Sequence, residues 1–149
     1  MTHYASKPDA RGSRFAGGLL LTIVISELTL ATAWIHLGLG GLLFTLNGIG
    51  YLVLGAAYVV AAAAPVDAIR RFGWLPRVAL AGYAVVTIGA YLVIGPWFDL
   101  GWITKGIEAA IVGLLIVDML NAYGSPSGIV WAAADSFATL RRRGGPRNA

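Results

Sequence analysis

The chain has 149 residues, with eleven Lys or Arg, seven Asp or Glu, two His and a formal net charge of +4. Hydrophobic residues make up 58% of it and charged residues 12%, at a mean hydropathy of +0.75; a soluble domain carries about 25% charged residues, so the composition excludes an ordinary globular surface and points to an integral membrane protein. The absence of cysteine excludes disulfides, thiolate metal sites, iron–sulfur clusters and cysteine nucleophiles.

A bilayer core of roughly 30 Å takes about 20 apolar residues per helix, and four segments have that length. Residues 1–14 read as a basic tail holding Lys7, Arg11 and Arg14. The first span is expected at 15–37. Its basic start and Ala31-Thr32-Ala33 resemble a signal peptide, but the run is long and Glu27 interrupts it, so a retained helix is expected. The glycine-rich break Gly38-Leu39-Gly40-Gly41 leads to a second span at 42–64. A break with Pro65, Asp67, Arg70 and Arg71 precedes the third span, 76–94, and a break with Gly95 and Pro96 precedes the fourth, 103–120. Short connections make sequential helices antiparallel neighbours. The expected fold is therefore all-α, a transmembrane four-helix up-down-up-down bundle.

Beyond Gly124-Ser125-Pro126, residues 128–143 carry Ile129, Val130, Trp131, Phe137 and Leu140 ahead of an arginine cluster. This reads as a short C-terminal amphipathic helix lying in the membrane interface, followed by a basic tail, so that 121–149 form a third region. Arg70, Arg71, Arg77, Arg141, Arg142, Arg143 and Arg147 join the three basic residues of the N-terminal tail on one side of the bundle, and Lys105 alone falls on the other. This ten-to-one bias predicts that both termini and the 65–75 break are cytoplasmic, in a multi-pass cell-membrane protein. The basic charge is then topology and contact with anionic lipids, not nucleic-acid binding.

Glycines recur at a spacing of seven: Gly41, Gly48 and Gly55, then Gly82 and Gly89, then Gly106 and Gly113. Two turns separate the members of each series, so each forms a stripe where backbones can approach, within the bundle or against a partner subunit. Trp34, Trp74, Trp97 and Trp102 lie near span ends, as interfacial anchors do.

Ionisable or polar residues inside spans need a reason. Glu27 is at mid-span among Thr22, Ser26, Thr29 and Thr32, either hydrogen-bonded to a neighbour or serving as a proton or cation site. His36 lies nine residues on, about 900° of rotation and therefore on the opposite face. By depth, His36, Asn47 and Glu108 are expected within hydrogen-bonding range, directly or through one water, on the non-cytoplasmic side, joined by Tyr51, with Lys105 and Glu108 three apart as a same-face ion pair. Asp118, near the inner end, is expected to be solvated or paired with an arginine. A lone His36 could ligate haem or a chlorin, although the bland reading is a hydrogen-bonded histidine. The cluster could otherwise staple the bundle, or form the mouth of a pocket for a lipid headgroup, quinone or pigment. No metal site is expected. No P-loop, nucleophile elbow or zinc-protease motif occurs in the chain, so an enzyme acting alone is not expected.

The stretch from His36 to Tyr51, together with Thr104-Lys105-Gly106-Ile107-Glu108, resembles small four-span prokaryotic membrane proteins of unknown function. That resemblance implies the bundle and no activity. Ile25-Ser26-Glu27-Leu28 is similar to the first helix of the small multidrug resistance transporters, whose four spans include a membrane-embedded glutamate. It implies a coupling carboxylate at Glu27, although the ten-to-one charge bias departs from the weak bias of that family. The leading expectation is a non-catalytic accessory subunit packed into a larger membrane complex. The alternative is a small proton- or cation-coupled transporter using Glu27.

Overall fold

The computed structural model describes residues 10–143, with side chains from 17 to 139. Lys7, His3 and Arg147, the tails, and the side chains of Arg11, Arg14 and Arg141 to Arg143 lie outside what is described. Among the described residues the chain is all-helical without strands: α1 (Ala10–Leu39), α2 (Leu42–Ala63), α3 (Asp67–Arg71), α4 (Trp74–Ile94), α5 (Asp99–Tyr123) and α6 (Pro126–Arg143). Four of these, α1 from Gly17 onward, α2, α4 and α5, are long and apolar enough to cross a membrane.

The ends of the helices follow from local chemistry. Gly40 and Gly41 link α1 to α2 with φ of 72° and 81°, a conformation that side chains with a Cβ avoid. Pro65 then forces Ala64 into an extended conformation at ψ 129° and stops α2. The expected loop between the second and third spans is partly helical. Asp67 opens α3 and Arg70 and Arg71 close it, both favourable for the helix dipole. Pro76 does not break α4 because it stands in the first turn, where its missing N–H has no intrahelical partner. Gly124, at φ 77°, ends α5. Ser125 then caps α6, its Oγ accepting the Gly128 N–H at 3.1 Å, with Pro126 as the first helical residue. Helices α1, α4 and α5 all begin before the expected span starts, because propensity and first-turn chemistry carry a helix beyond its apolar run.

Helix α1 packs against α2 and α5, and α4 packs against α5 and α2. The shared core is Ile25, Ala33, Tyr51, Tyr58, Leu80, Ala84, Ile111 and Leu115, all fully enclosed. Helix α5 is the most deeply enclosed span. Its inward stripe runs Gly101, Thr104, Lys105, Glu108, Ile111, Leu115, Asp118, Met119, apolar in the middle and charged towards both ends. Leucines, valines and isoleucines face outward on every span. The usual soluble arrangement is reversed on α5, as expected where the surrounding medium is hydrocarbon.

Of the two readings of the glycine series, packing within the chain holds for Gly48 and Gly55. Gly48 and Gly55 do lie against α1, where a Cβ would stand 2.9 Å from the Ala33 carbonyl oxygen and 2.9 Å from Thr29 Cγ2 respectively. Gly41 belongs to the turn. Gly82, Gly89, Gly106 and Gly113 have nothing within 4 Å of a Cβ position, and all four are exposed. The spacing identifies a stripe but not the direction in which it faces. Helices α4 and α5 contribute Leu80, Ala84, Ile111 and Leu115 to the shared core.

Candidate functional site

The end of the bundle that carries the α1–α2 turn and the α4–α5 connection holds a buried polar cluster drawn from four helices. Glu108, on α5, is 0% exposed. One helical turn before it, Lys105 donates from Nζ to Glu108 Oε2 at 2.6 Å, the expected same-face pair, and to the Thr87 carbonyl at 3.4 Å. The ammonium also stands 5.5 Å from the centre of the Tyr91 ring. Thr87 Oγ is 2.9 Å from Glu108 Oε2 and 2.9 Å from the Ala84 carbonyl, so its single proton serves one of them at a time. Tyr51 approaches the same Oγ at 2.8 Å. When Thr87 donates to Glu108, Tyr51 is the donor to Thr87, and a chain runs from α2 through α4 to α5.

His36 enters from α1 and is 3% exposed. Its Nδ1 lies 2.8 Å from the Thr32 carbonyl, which can only accept, so Nδ1 carries a hydrogen. Nε2 faces Glu108 Oε1 at 3.6 Å. That distance exceeds a good hydrogen bond, and Oε1 is buried without a hydrogen-bond partner, as is Thr32 Oγ1. Nε2, the nitrogen that would ligate a haem or chlorin iron or magnesium, is thus turned towards a carboxylate.

Asn47 makes no direct side-chain hydrogen bond to the cluster. Its backbone carbonyl accepts from the Tyr83 hydroxyl at 3.3 Å, but its side-chain Oδ1 is buried with no partner. The α1–α2 turn brings Asn47 to the same end of the bundle as His36, and no direct hydrogen bond joins its side-chain oxygen to His36 or Glu108. It lines instead a pocket of about 250 Å3 beside the cluster, together with His36, Phe44, Tyr83, Tyr91 and Lys105.

Glu27 stands apart. It is exposed on the outward face of α1, the face opposite His36, and lines neither this pocket nor a second one of about 730 Å3 between α1 and α5.

At the other end Asp118 pairs with Arg77 of α4, Nε to Oδ2 at 2.7 Å, and accepts from Tyr58 of α2 at 3.3 Å. The guanidinium also donates to the Gly73 carbonyl at 2.7 Å. Arg77 counts towards the basic side of the chain, yet it is buried. Helix α6 docks on this end through Ser136, which is 3.0 Å from the Arg71 carbonyl and accepts from Trp74 Nε1 at 3.3 Å, and through Phe137, edge-on to Phe72 and Trp74.

Sequence reasoning missed Thr87, Tyr58 and Ser136. Thr87 had a signal, since Leu80, Ala84, Thr87 and Tyr91 follow the 4-3-4 spacing of one inward face. Among the described residues no group of three His, Cys, Asp or Glu could hold a metal ion. No protein-family model, no curated protein and no solved structure matches the chain.

Proposed function

We propose that this chain is a non-catalytic subunit of a larger membrane assembly, and that α1 carries its principal contact with a partner. The observation that carries this reading is the exposure of Glu27 at mid-span. Around it on the outward side of α1 stand Leu20, Ile23, Val24, Leu30 and Trp34, all exposed and apolar. An ionisable group facing hydrocarbon at that depth is expensive, and such groups almost always face protein or a water-filled cavity. A polar group on a partner helix relieves the penalty. The 730 Å3 pocket between α1 and α5 adds to this, because Val24, which lines it, lies one turn before Glu27. The outward glycines Gly82, Gly89, Gly106 and Gly113 offer further faces where another backbone could approach closely.

In this reading the four spans run up-down-up-down, with both termini and α3 in the cytoplasm of a prokaryotic cell. Helix α6 lies in the interface, where exposed Val130 and Trp131 meet lipid and the arginines that follow meet anionic headgroups. The transporter reading also relies on Glu27. It is second because the side chain lines no pocket within the chain.

Purification in mild detergent followed by native mass spectrometry tests the reading. A species heavier than the 15.6 kDa chain is expected, reduced to the lone chain by Glu27→Leu and retained by Glu27→Gln, which keeps the hydrogen bonds. A wild-type protein that is folded and alone contradicts the subunit reading. Proton- or cation-coupled transport in liposomes that Glu27→Gln abolishes would establish the alternative.

A further inference from the structure

His36 is held between two hydrogen-bond acceptors, and its neutral form has a hydrogen for only one of them. Nδ1 stands 2.8 Å from the Thr32 carbonyl oxygen, and Nε2 3.6 Å from Glu108 Oε1. A neutral imidazole has one N–H and one lone pair. The shorter contact claims the N–H. The Nε2 lone pair is then turned on a carboxylate oxygen that is itself buried and without a donor. The other donors near the pair are committed elsewhere. Lys105 and Thr87 reach Oε2, not Oε1. Tyr51 of α2, its ring 5.7 Å from the imidazole, has its hydroxyl on Thr87. On α4, Tyr83 donates to the Asn47 carbonyl, and Tyr91, beside the Lys105 ammonium, donates to the Phe98 carbonyl. A buried carboxylate oxygen with no donor is uncommon and calls for an explanation.

One added proton on the Nε2–Oε1 axis supplies the missing donor, whether it rests on the nitrogen or on the oxygen. Charge works against it. Without that proton Lys105, Glu108 and a neutral His36 sum to zero, which an enclosed site favours; with it one positive charge is left over. Each state meets one demand and forfeits the other, the condition under which pH selects between two states. The geometry points to a proton-binding site shared by His36 Nε2 and Glu108 Oε1, whose occupancy decides whether α1 is tied to α5 at this end of the bundle. A charge-assisted N–H···O bond spans about 2.7–2.9 Å, so uptake of a proton from the aqueous phase draws the pair together from 3.6 Å. The tie matters because Thr22, Ser26, Thr29 and His36 Nδ1 all donate to carbonyls of α1 itself. His36 also lines the pocket at this end, whereas Glu108 does not, so the ring is the side from which the proton enters. Glu27 is exposed on the opposite face of α1, so the site holds whether or not a partner subunit docks there.

The test is an NMR titration of the full chain in mild detergent, with nitrogen-labelled histidine and carboxyl-labelled glutamate. His3→Gln and Glu27→Gln, both outside the pair, leave His36 and Glu108 as the only residues of their types. Between about pH 4 and about pH 9 the imidazole and carboxyl signals should move at one common midpoint, as a coupled pair does. On the alkaline side the ring should carry its hydrogen on Nδ1, and on the acid side Nε2 should be hydrogen-bonded to the carboxyl. Amide exchange of α1 around Thr32 to His36, corrected for its intrinsic pH dependence, should slow about tenfold on the acid side, as one charge-assisted bond implies. His36→Gln, whose amide N–H donates to Oε1 at any pH, should remove that pH dependence and keep the helix protected throughout. A neutral ring with its hydrogen on Nε2, separate midpoints for ring and carboxyl, or no titration in that range would each overturn the proposal. So would α1 exchange that ignores the midpoint, or a pH dependence that survives His36→Gln.

Discussion

At one end of the bundle Lys105 and Glu108 pair within a single helix, 2.6 Å apart; at the other, Arg77 and Asp118 pair between two helices, 2.7 Å apart. An i,i+3 pair needs no tertiary structure to form. It ties the bundle together only through the Tyr51–Thr87 chain from α2 and α4, His36 Nε2 of α1 standing 3.6 Å from Oε1. It also leaves Glu108 Oε1 without a partner, next to a pocket. The Arg77–Asp118 pair is itself the tie. It joins α4 to α5, recruits Tyr58 from α2, and lines neither pocket. Two buried charge pairs of similar length thus differ in kind: one is a cross-brace, the other a site with spare hydrogen-bonding capacity.

Unfolding in mixed micelles should separate them, and the largest effect is expected at the brace. Asp118→Ala leaves Arg77 buried and uncompensated and should lower stability by ~3–5 kcal/mol. Glu108→Gln also takes the counter-charge from buried Lys105 but preserves shape and an acceptor for it, so the loss should be smaller, about 1–3 kcal/mol for the missing charge-assisted bonds; a loss as large as that of Asp118→Ala would remove the distinction. Tyr51→Phe cuts the α2 end of the chain to Glu108 and should cost about 1 kcal/mol by the same measurement. Gly106→Ala is the smallest. Facing outward with nothing within 4 Å of a Cβ position, it should leave the stability of the isolated chain unchanged or raise it by up to ~1 kcal/mol through helix propensity. A clear destabilisation would mean that the glycine stripe packs inside the bundle after all.

The four apolar helices were legible because hydrophobic length is a one-dimensional property. So was the separation of Glu27 from His36, which follows from helical rotation, and so was the Lys105–Glu108 pair. The direction of the glycine stripes was not legible, because a spacing of seven is indifferent to which neighbour covers it. Depth along a span brings Asn47 to the level of His36 but does not give its azimuth, and so not its direct hydrogen-bond partners. Arg77 was read as part of the basic cytoplasmic side, and its burial depends on Asp118 lying across from it, a juxtaposition that only the packing of α4 on α5 creates. Ser136 became a docking point for α6 for the same reason.

The central claim, that the outward face around Glu27 is covered by protein, is tested most directly by photo-crosslinking in native membranes. A benzophenone amino acid replaces Leu30, exposed one turn from Glu27 on the same helix, and in a control replaces Val93, exposed on α4. The account predicts a discrete protein adduct from position 30 that Glu27→Leu removes and Glu27→Gln preserves, and no comparable adduct from position 93. Position 30 yielding only lipid adducts, or the same adducts with and without Glu27, would contradict it.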